Sequence, residues 1–424
     1  MATPKGILLF VALGLLLSMT PRASASSAKQ AKESGTHVVG KVLIATKTKE
    51  LKVSLRYSLV AQDSARKQVR FFLVPEMTVA AVEGTNIKSY DFDRQAKPFA
   101  CVQIRFKQPL AVGEQTSFSV VYAGKPSQGF WVEDQHWVDI DPDFMLLPLF
   151  TTLEDFTYRL EAATDDKAYA FYDLNRGQSA TNLHIVSATP TYYFQSIIAS
   201  DNAANGMALH RINRHGYRLA IFTAKPDSAD YVADAADRML NQFNTTFGRK
   251  EPINGFTVLY RPLPPGLHRV TRSFQRSVVF ATSHGHVATL AHEVSHFWWS
   301  RGNALTTEKW LNESFAQYSQ FLFIRQEQGE EKFESLMAAL ASRLASLPPL
   351  LGSNRFSDQG FSLIYEKGPY LLYGLEKRIG RPTFMELLVE LNHRKVSTTQ
   401  DLLLLLEQLT SAPIRKEFEA QLNS

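Results

Sequence analysis

The stretch HEVSHFWWSRGNALTTEKWLNESFAQY, residues 292–318, holds two histidines and a glutamate within five positions and a second glutamate further on. His292 and His296 stand four residues apart, about 40° from one another around a helix axis, and the segment 290–298 carries no helix breaker. Both imidazoles are therefore expected on one face of one helix. Two ring nitrogens at that spacing can share a zinc ion at about 2.0–2.1 Å without bending the backbone. Glu293, rotated by about 100° from His292, is poorly placed as a third ligand but can reach a water beside the metal.

A catalytic zinc takes three protein ligands and keeps an open position. The leading third candidate is Glu313 in Trp310-Leu311-Asn312-Glu313, at the start of a second amphipathic helix whose buried stripe reads Leu311, Phe315, Tyr318 and Leu322. The helix dipole alone would also favour a carboxylate there. His284 and His286 are rival ligands, ranked lower because Gly285 between them reads as loop.

Around this motif, 424 residues are enough for two domains. A composition of 45% hydrophobic and 21% charged residues is that of a soluble globular protein and excludes disordered and fibrous classes. The net charge of +5 is spread along the chain rather than gathered into runs, which speaks against a nucleic-acid partner.

Lys5 precedes an apolar run over 7–17, followed by the small residues Ala23, Ser24 and Ala25. Residues 1–25 therefore read as a secretory signal. The run is shorter than the roughly 20 residues a membrane span needs. The expectation is a secreted or periplasmic protein with no stable span. Cys101 is the only cysteine, so no intramolecular disulfide is possible and core burial must hold the fold.

Leu51, Val53, Leu55, Tyr57 and Leu59 alternate along one strand, and Val102, Ile104 and Phe106 repeat the pattern. Residues 36–202 are thus expected to form an antiparallel β domain. Beyond a last strand pair near 210–222 the period changes to helical, with Val232, Ala235, Met239 and Phe243 ahead of Gly248, a candidate helix cap. A second, mainly helical domain is expected over 203–424, giving an α+β chain. A Pro/Gly cluster at 262–266 reads as a turn.

These residues resemble the gluzincin aminopeptidases of the membrane alanyl aminopeptidase type. Their signature is HExxH followed by Trp-Leu-Asn-Glu-Gly-Phe-Ala, against WLNESFAQY at 310–318 here. Tyr365-Glu366-Lys367-Gly368 is similar to the family's Tyr-x-Lys-Gly element, and residues 243–256 to its helix, Phe-Gly turn and strand. The resemblance implies a thermolysin-like catalytic domain with one Zn²⁺ on His292, His296 and Glu313. It also implies Glu293 as general base and Tyr365 as oxyanion donor. Taken without the resemblance, Tyr365 reads as one of 15 tyrosines opening a helix with Leu371, Leu372 and Leu375 in the core.

Three departures bear on substrate. The connection from His296 to Glu313 is shorter than the family's by about two residues. The family's Gly-x-Met-Glu-Asn element, whose carboxylate recognises a free amino terminus, is missing: residues 252–292 hold no Asp or Glu but do hold Arg261, Arg269, Arg272 and Arg276. With 277–280 as the edge strand beside the groove, Arg272 and Arg276 are expected to repel an ammonium and favour a carboxylate; the alternative is a solvent-facing surface. The large helical domain that roofs the family's active site is also absent from the sequence, so a partner chain could cover the groove. The leading expectation is an exported zinc metallopeptidase with altered peptide specificity. The alternative is a non-catalytic peptide- or partner-binding protein on the same fold.

Overall fold

The computed structural model describes residues 35–127, 131–132, 137–152, 154–187, 189–201, 206–262, 270–274, 277–282, 287–344 and 346–424. The signal-like segment 1–25, with Arg269, Arg276, His284, His286 and most of the 262–266 cluster, lies outside these residues. No helix among the described residues is long and apolar enough to cross a membrane.

The architecture is α+β, with strands dominating up to residue 282 and helices beyond 287. A six-stranded sheet runs in the order 182–186, 156–164, 36–45, 50–60, 115–124, 77–83, and a four-stranded sheet in the order 149–150, 66–72, 101–110, 87–93. Leu51, Val53, Leu55, Tyr57 and Leu59 all face the core between them, as strand alternation requires. Pairing is antiparallel except that Thr36–Ala45 runs parallel to Phe156–Thr164. Cys101 is buried and free. A five-stranded sheet with central strands Tyr169–Asp173, Ile197–Asp201 and Trp137–Ile140 faces the C-terminal half.

The C-terminal half opens with another five-stranded sheet, in the order 208–214, 217–223, 255–262, 277–282, 270–274. The first hairpin and a strand over 277–280 were expected, with a strand near 256 implied by the resemblance; the parallel pairing was not read. Gly255–Pro262 runs parallel to both of its neighbours, Ser277–Thr282 runs parallel to it, and residues 256–261 and 277–280 are buried, so their apolar runs carry no alternation to read. Ser277–Thr282 is an inner strand, which corrects its placement at the edge; Val270–Phe274 is the edge, because the two form an antiparallel hairpin.

The helices follow: α1 Pro226–Thr245, α2 Val287–Ser295, α3 Trp310–Gln328, α4 Glu330–Leu344, α5 Gly368–Ile379, α6 Arg381–His393, α7 Thr399–Leu409 and α8 Ala412–Leu422. A helical turn at Gly360–Ser362 and a π-turn at Leu363–Lys367 lead into α5. Gly248 is required for packing more than capping, since a Cβ there would lie 2.9 Å from the Trp298 ring. Helix α3 is buried on nearly all sides, with Trp310, Asn312, Ser314, Ala316 and Ser319 enclosed beside the expected stripe. It is the central helix of the domain, and its small residues let the other helices close around it.

Candidate metal centre and active site

Helix α2 is shorter than its sequence suggests. It ends at Ser295, and His296 stands in the tight turn that follows, its N–H donating to the Glu293 carbonyl at 3.3 Å. Two bulky neighbours explain the turn. Trp298 packs edge-on against Phe243 and Phe247 and donates Nε1–H to the Glu251 carbonyl, while Trp299 donates to Ser319 Oγ at 3.0 Å. Burying both indoles draws the chain inward, and His296 still faces His292.

The two Nε2 atoms stand 3.2 Å apart, and Glu313 Oε2 lies 3.5 Å from His292 Nε2 and 3.4 Å from His296 Nε2. A tetrahedral ion with bonds of about 2.0–2.1 Å needs ligand atoms roughly 3.3–3.4 Å apart. The triangle fits such an ion, and His292, His296 and Glu313 form the one His/Cys/Asp/Glu group among the described residues whose donor atoms could hold a metal.

The surroundings orient the ligands. His296 Nδ1–H donates to the Trp299 carbonyl at 2.8 Å, which turns Nε2 toward the triangle. Lys309 Nζ lies 3.6 Å from Glu313 Oε1, leaving Oε2 for the histidines. Asn312 clamps Gly302, accepting from its N–H at 2.7 Å and donating to its carbonyl at 2.8 Å, so the short connection is closed just before Glu313. Burial alone would raise the Glu313 carboxyl, but His296, hydrogen bonds from both imidazoles and Lys309 hold it well below the usual range. Burial would lower His296, and Glu313 holds it up at about 9. A metal must displace that proton.

Glu293 is enclosed beside the triangle, its carboxyl raised by burial against the pull of His292 and His296, with Thr271 of the edge strand as hydrogen-bond partner. Tyr365, on the π-turn, stacks against His292 with ring centroids 5.9 Å apart, and burial followed by Glu313 raises its hydroxyl well above the ordinary value. The structure thus brings His292, Glu293, His296, Glu313 and Tyr365 together. Lys367 of the same motif points away, donating to the Pro348 carbonyl at 2.7 Å.

Arg272 is not the free cation the sequence suggested. It is buried, bonded to Asp139, to Asp141 Oδ2 at 2.9 Å and to Ser196 Oγ at 3.0 Å. Against the lowering effect of burial, the two aspartates raise its pKa. It therefore joins the two halves of the chain and leaves no guanidinium charge for substrate. The aspartates come from Asp139-Ile140-Asp141-Pro142-Asp143, a segment with no recognised role in the sequence. Its third carboxylate, Asp143, is exposed, and its charge acts on both Tyr192 and Tyr365. Three aspartates in five residues were the available signal.

An α+β fold carrying a buried His-His-Glu triangle with an adjacent glutamate defines the class of zinc-dependent peptidases. Residues 276–420, which hold all five site residues, match the Peptidase family M1 domain, in agreement with the gluzincin aminopeptidase motifs they carry. The fold agrees over nearly the whole chain. A mutant M1 zinc metallopeptidase of Deinococcus radiodurans bound to Tyr-Ser-Ala substrate superposes with TM-score 0.66 and 16% identity over 92% of this chain and 93% of that one. A two-domain M1 zinc metallopeptidase mutant bound to L-tryptophan gives TM-score 0.65 and 16% identity over 92% and 95%. Leukotriene A4 hydrolase of Saccharomyces cerevisiae gives 0.65 and 14% over 95% of this chain but 70% of its own.

Proposed function

We propose that the chain is an exported zinc metallopeptidase that hydrolyses peptide bonds, with zinc on His292, His296 and Glu313. The observation that carries this reading is the triangle of donor atoms, 3.2, 3.4 and 3.5 Å on its edges, with Glu293 buried beside it. A binding protein has no use for Glu293 and Tyr365 together. Export rests on residues 1–25 alone.

When bound, zinc supplies Lewis acidity that brings the pKa of water toward about 7 and polarises a carbonyl. Glu293 takes a proton from the attacking water and passes it to the amide nitrogen as the C–N bond breaks; its raised pKa suits both transfers. The Tyr365 hydroxyl, kept protonated by burial, donates to the carbonyl oxygen as negative charge builds there. Lys309 and the Trp299 carbonyl keep Glu313 and His296 in place.

Substrate recognition departs from the family in that residues 252–292 hold no carboxylate to meet a free amino terminus, while Arg272 is bonded within the fold. Asp143 is the exposed carboxylate available to a substrate ammonium. The structures similar to this one include one bound to a tripeptide substrate, which supports a peptide as the substrate here.

The test is metal content with cleavage of a proteome-derived peptide library by wild type and Glu293→Gln. We expect about one zinc per chain in both, and activity lower by at least about 10²-fold in the variant. Wild-type protein that holds its zinc and cuts nothing would overturn the proposal. Cuts one residue from free amino termini would support Asp143 as the ammonium partner.

A further inference from the structure

One cation beside the site has no part in the zinc chemistry. Arg355 stacks its guanidinium 3.8 Å from the centroid of Phe356, which is braced edge-on by Phe99 at 5.2 Å. Its carbonyl oxygen also packs closely against Gly360, where a Cβ would stand 1.9 Å away. The arginine is thus pinned against the helical turn that leads to Tyr365.

The side chain is half-buried, and its Nε is enclosed with no hydrogen-bond partner. Other arginines of comparable burial are neutralised: Arg272 by Asp139 and Asp141, and Arg325 by Glu330 and Glu376. No ion pair or hydrogen bond satisfies the Arg355 guanidinium among the described residues. Burial lowers its pKa, and the groups whose fields partly offset this are Asp143, Glu313, Tyr365 and Tyr192. Gly360 opens the helical turn whose Phe361 stacks on Tyr365 at 4.5 Å, and Tyr365 in turn stacks on His292 at 5.9 Å, so Arg355 stands beside the same site.

A planar guanidinium held by stacking presents a fork that matches a carboxylate with two parallel hydrogen bonds. We propose that Arg355 is the specificity-determining cation of the groove and pairs with a carboxylate of the peptide substrate. That carboxylate is either the free C terminus of a short peptide or an Asp or Glu side chain.

The proposal rests on the peptidase reading and is tested by binding, apart from turnover. Zinc-loaded Glu293→Gln protein is titrated calorimetrically with an apolar tripeptide as the free acid, the same tripeptide as its C-terminal amide, and an amide bearing one Asp. We expect a carboxylate-bearing ligand to bind about tenfold or more tighter than the plain amide. The difference should vanish when Arg355→Gln is added and survive in part with Arg355→Lys, which keeps charge without the fork. A preference for the free acid identifies the C terminus, and one for the Asp-bearing amide identifies a side chain. Equal affinities for all three, or a preference that persists in zinc-replete Arg355→Gln, overturn the assignment. Cleavage of the same peptides by protein with Glu293 intact is scored separately, so a failed peptidase reading is distinguishable from a failed role for Arg355.

Discussion

Ser314 Oγ donates to the Ile364 carbonyl at 2.6 Å, joining the residue after Glu313 to the residue before Tyr365. The bond answers a gap in the backbone. The Gly368 N–H is taken by the Leu363 carbonyl, and Pro369, the π-turn partner one residue on, has no N–H to offer Ile364. Both groups are buried, so Ser314→Ala leaves a carbonyl unsatisfied. The expected cost is about 1–3 kcal/mol in denaturant unfolding. Because the bond also positions Tyr365, kcat should fall severalfold with zinc content unchanged; unchanged stability would rule out this account.

Gly368 faces the same serine from the other side. A Cβ there would lie 2.0 Å from Ser314 Oγ and 2.7 Å from its Cβ, so Gly368→Ala forces α3 and α5 apart. Overpacking of this kind costs about 1–3 kcal/mol. Ser314→Gly removes both clashing atoms, so the double variant should be more stable than the sum of the two single effects predicts. Additive unfolding free energies would show that the clash is relieved elsewhere.

Two aspartates on one arginine leave a charge in excess. Burial, with Asp143 and Asp139 adding to it against Arg272, pushes Asp141 up to about 6. An unfolded aspartate titrates near 3.9. Between about pH 4 and 6 the folded chain therefore keeps a proton the unfolded chain has released, and this group's contribution to stability falls as pH rises through that window. Asn mimics the protonated form. Asp141→Asn should match wild type at pH 4 and exceed it by about 2 kcal/mol at pH 7.5. A variant less stable than wild type at pH 7.5 would mean that the ion pair with Arg272 outweighs the cost of burial.

The zinc cluster was legible because helical spacing and ligand chemistry constrain it locally: four residues set His292 against His296, and Trp310 to Glu313 repeats a known pattern. Its orienting contacts were harder to read. Lys309 lies one turn before Glu313, but the Trp299 carbonyl faces His296 only because the helix ends early. The strand at 277–280 was read but placed at the edge, because buried parallel strands such as Gly255–Pro262 and Ser277–Thr282 carry no alternation that would tell how they pair. Arg272 was misread because its partners lie more than 130 residues away along the chain, in a segment known only from its aspartates. Long-range charge pairing leaves no periodic trace in a sequence.

Glu313 was the leading third ligand, with His284 and His286 ranked below it. Glu313 stands with Oε2 toward both imidazoles and Oε1 toward Lys309. A ligand that binds only the folded chain stabilises it by RT ln(1 + [L]/Kd), about 2.7 kcal/mol at a hundred times Kd. Wild-type protein should gain that increment from zinc and lose it to a chelator. At the same zinc concentration Glu313→Gln should keep less than half of it, because two imidazoles alone hold the ion. A full increment in Glu313→Gln, lost instead in His286→Ala or His284→Ala, would transfer the third ligand to the segment before α2 and leave Glu313 as a partner of the histidines only.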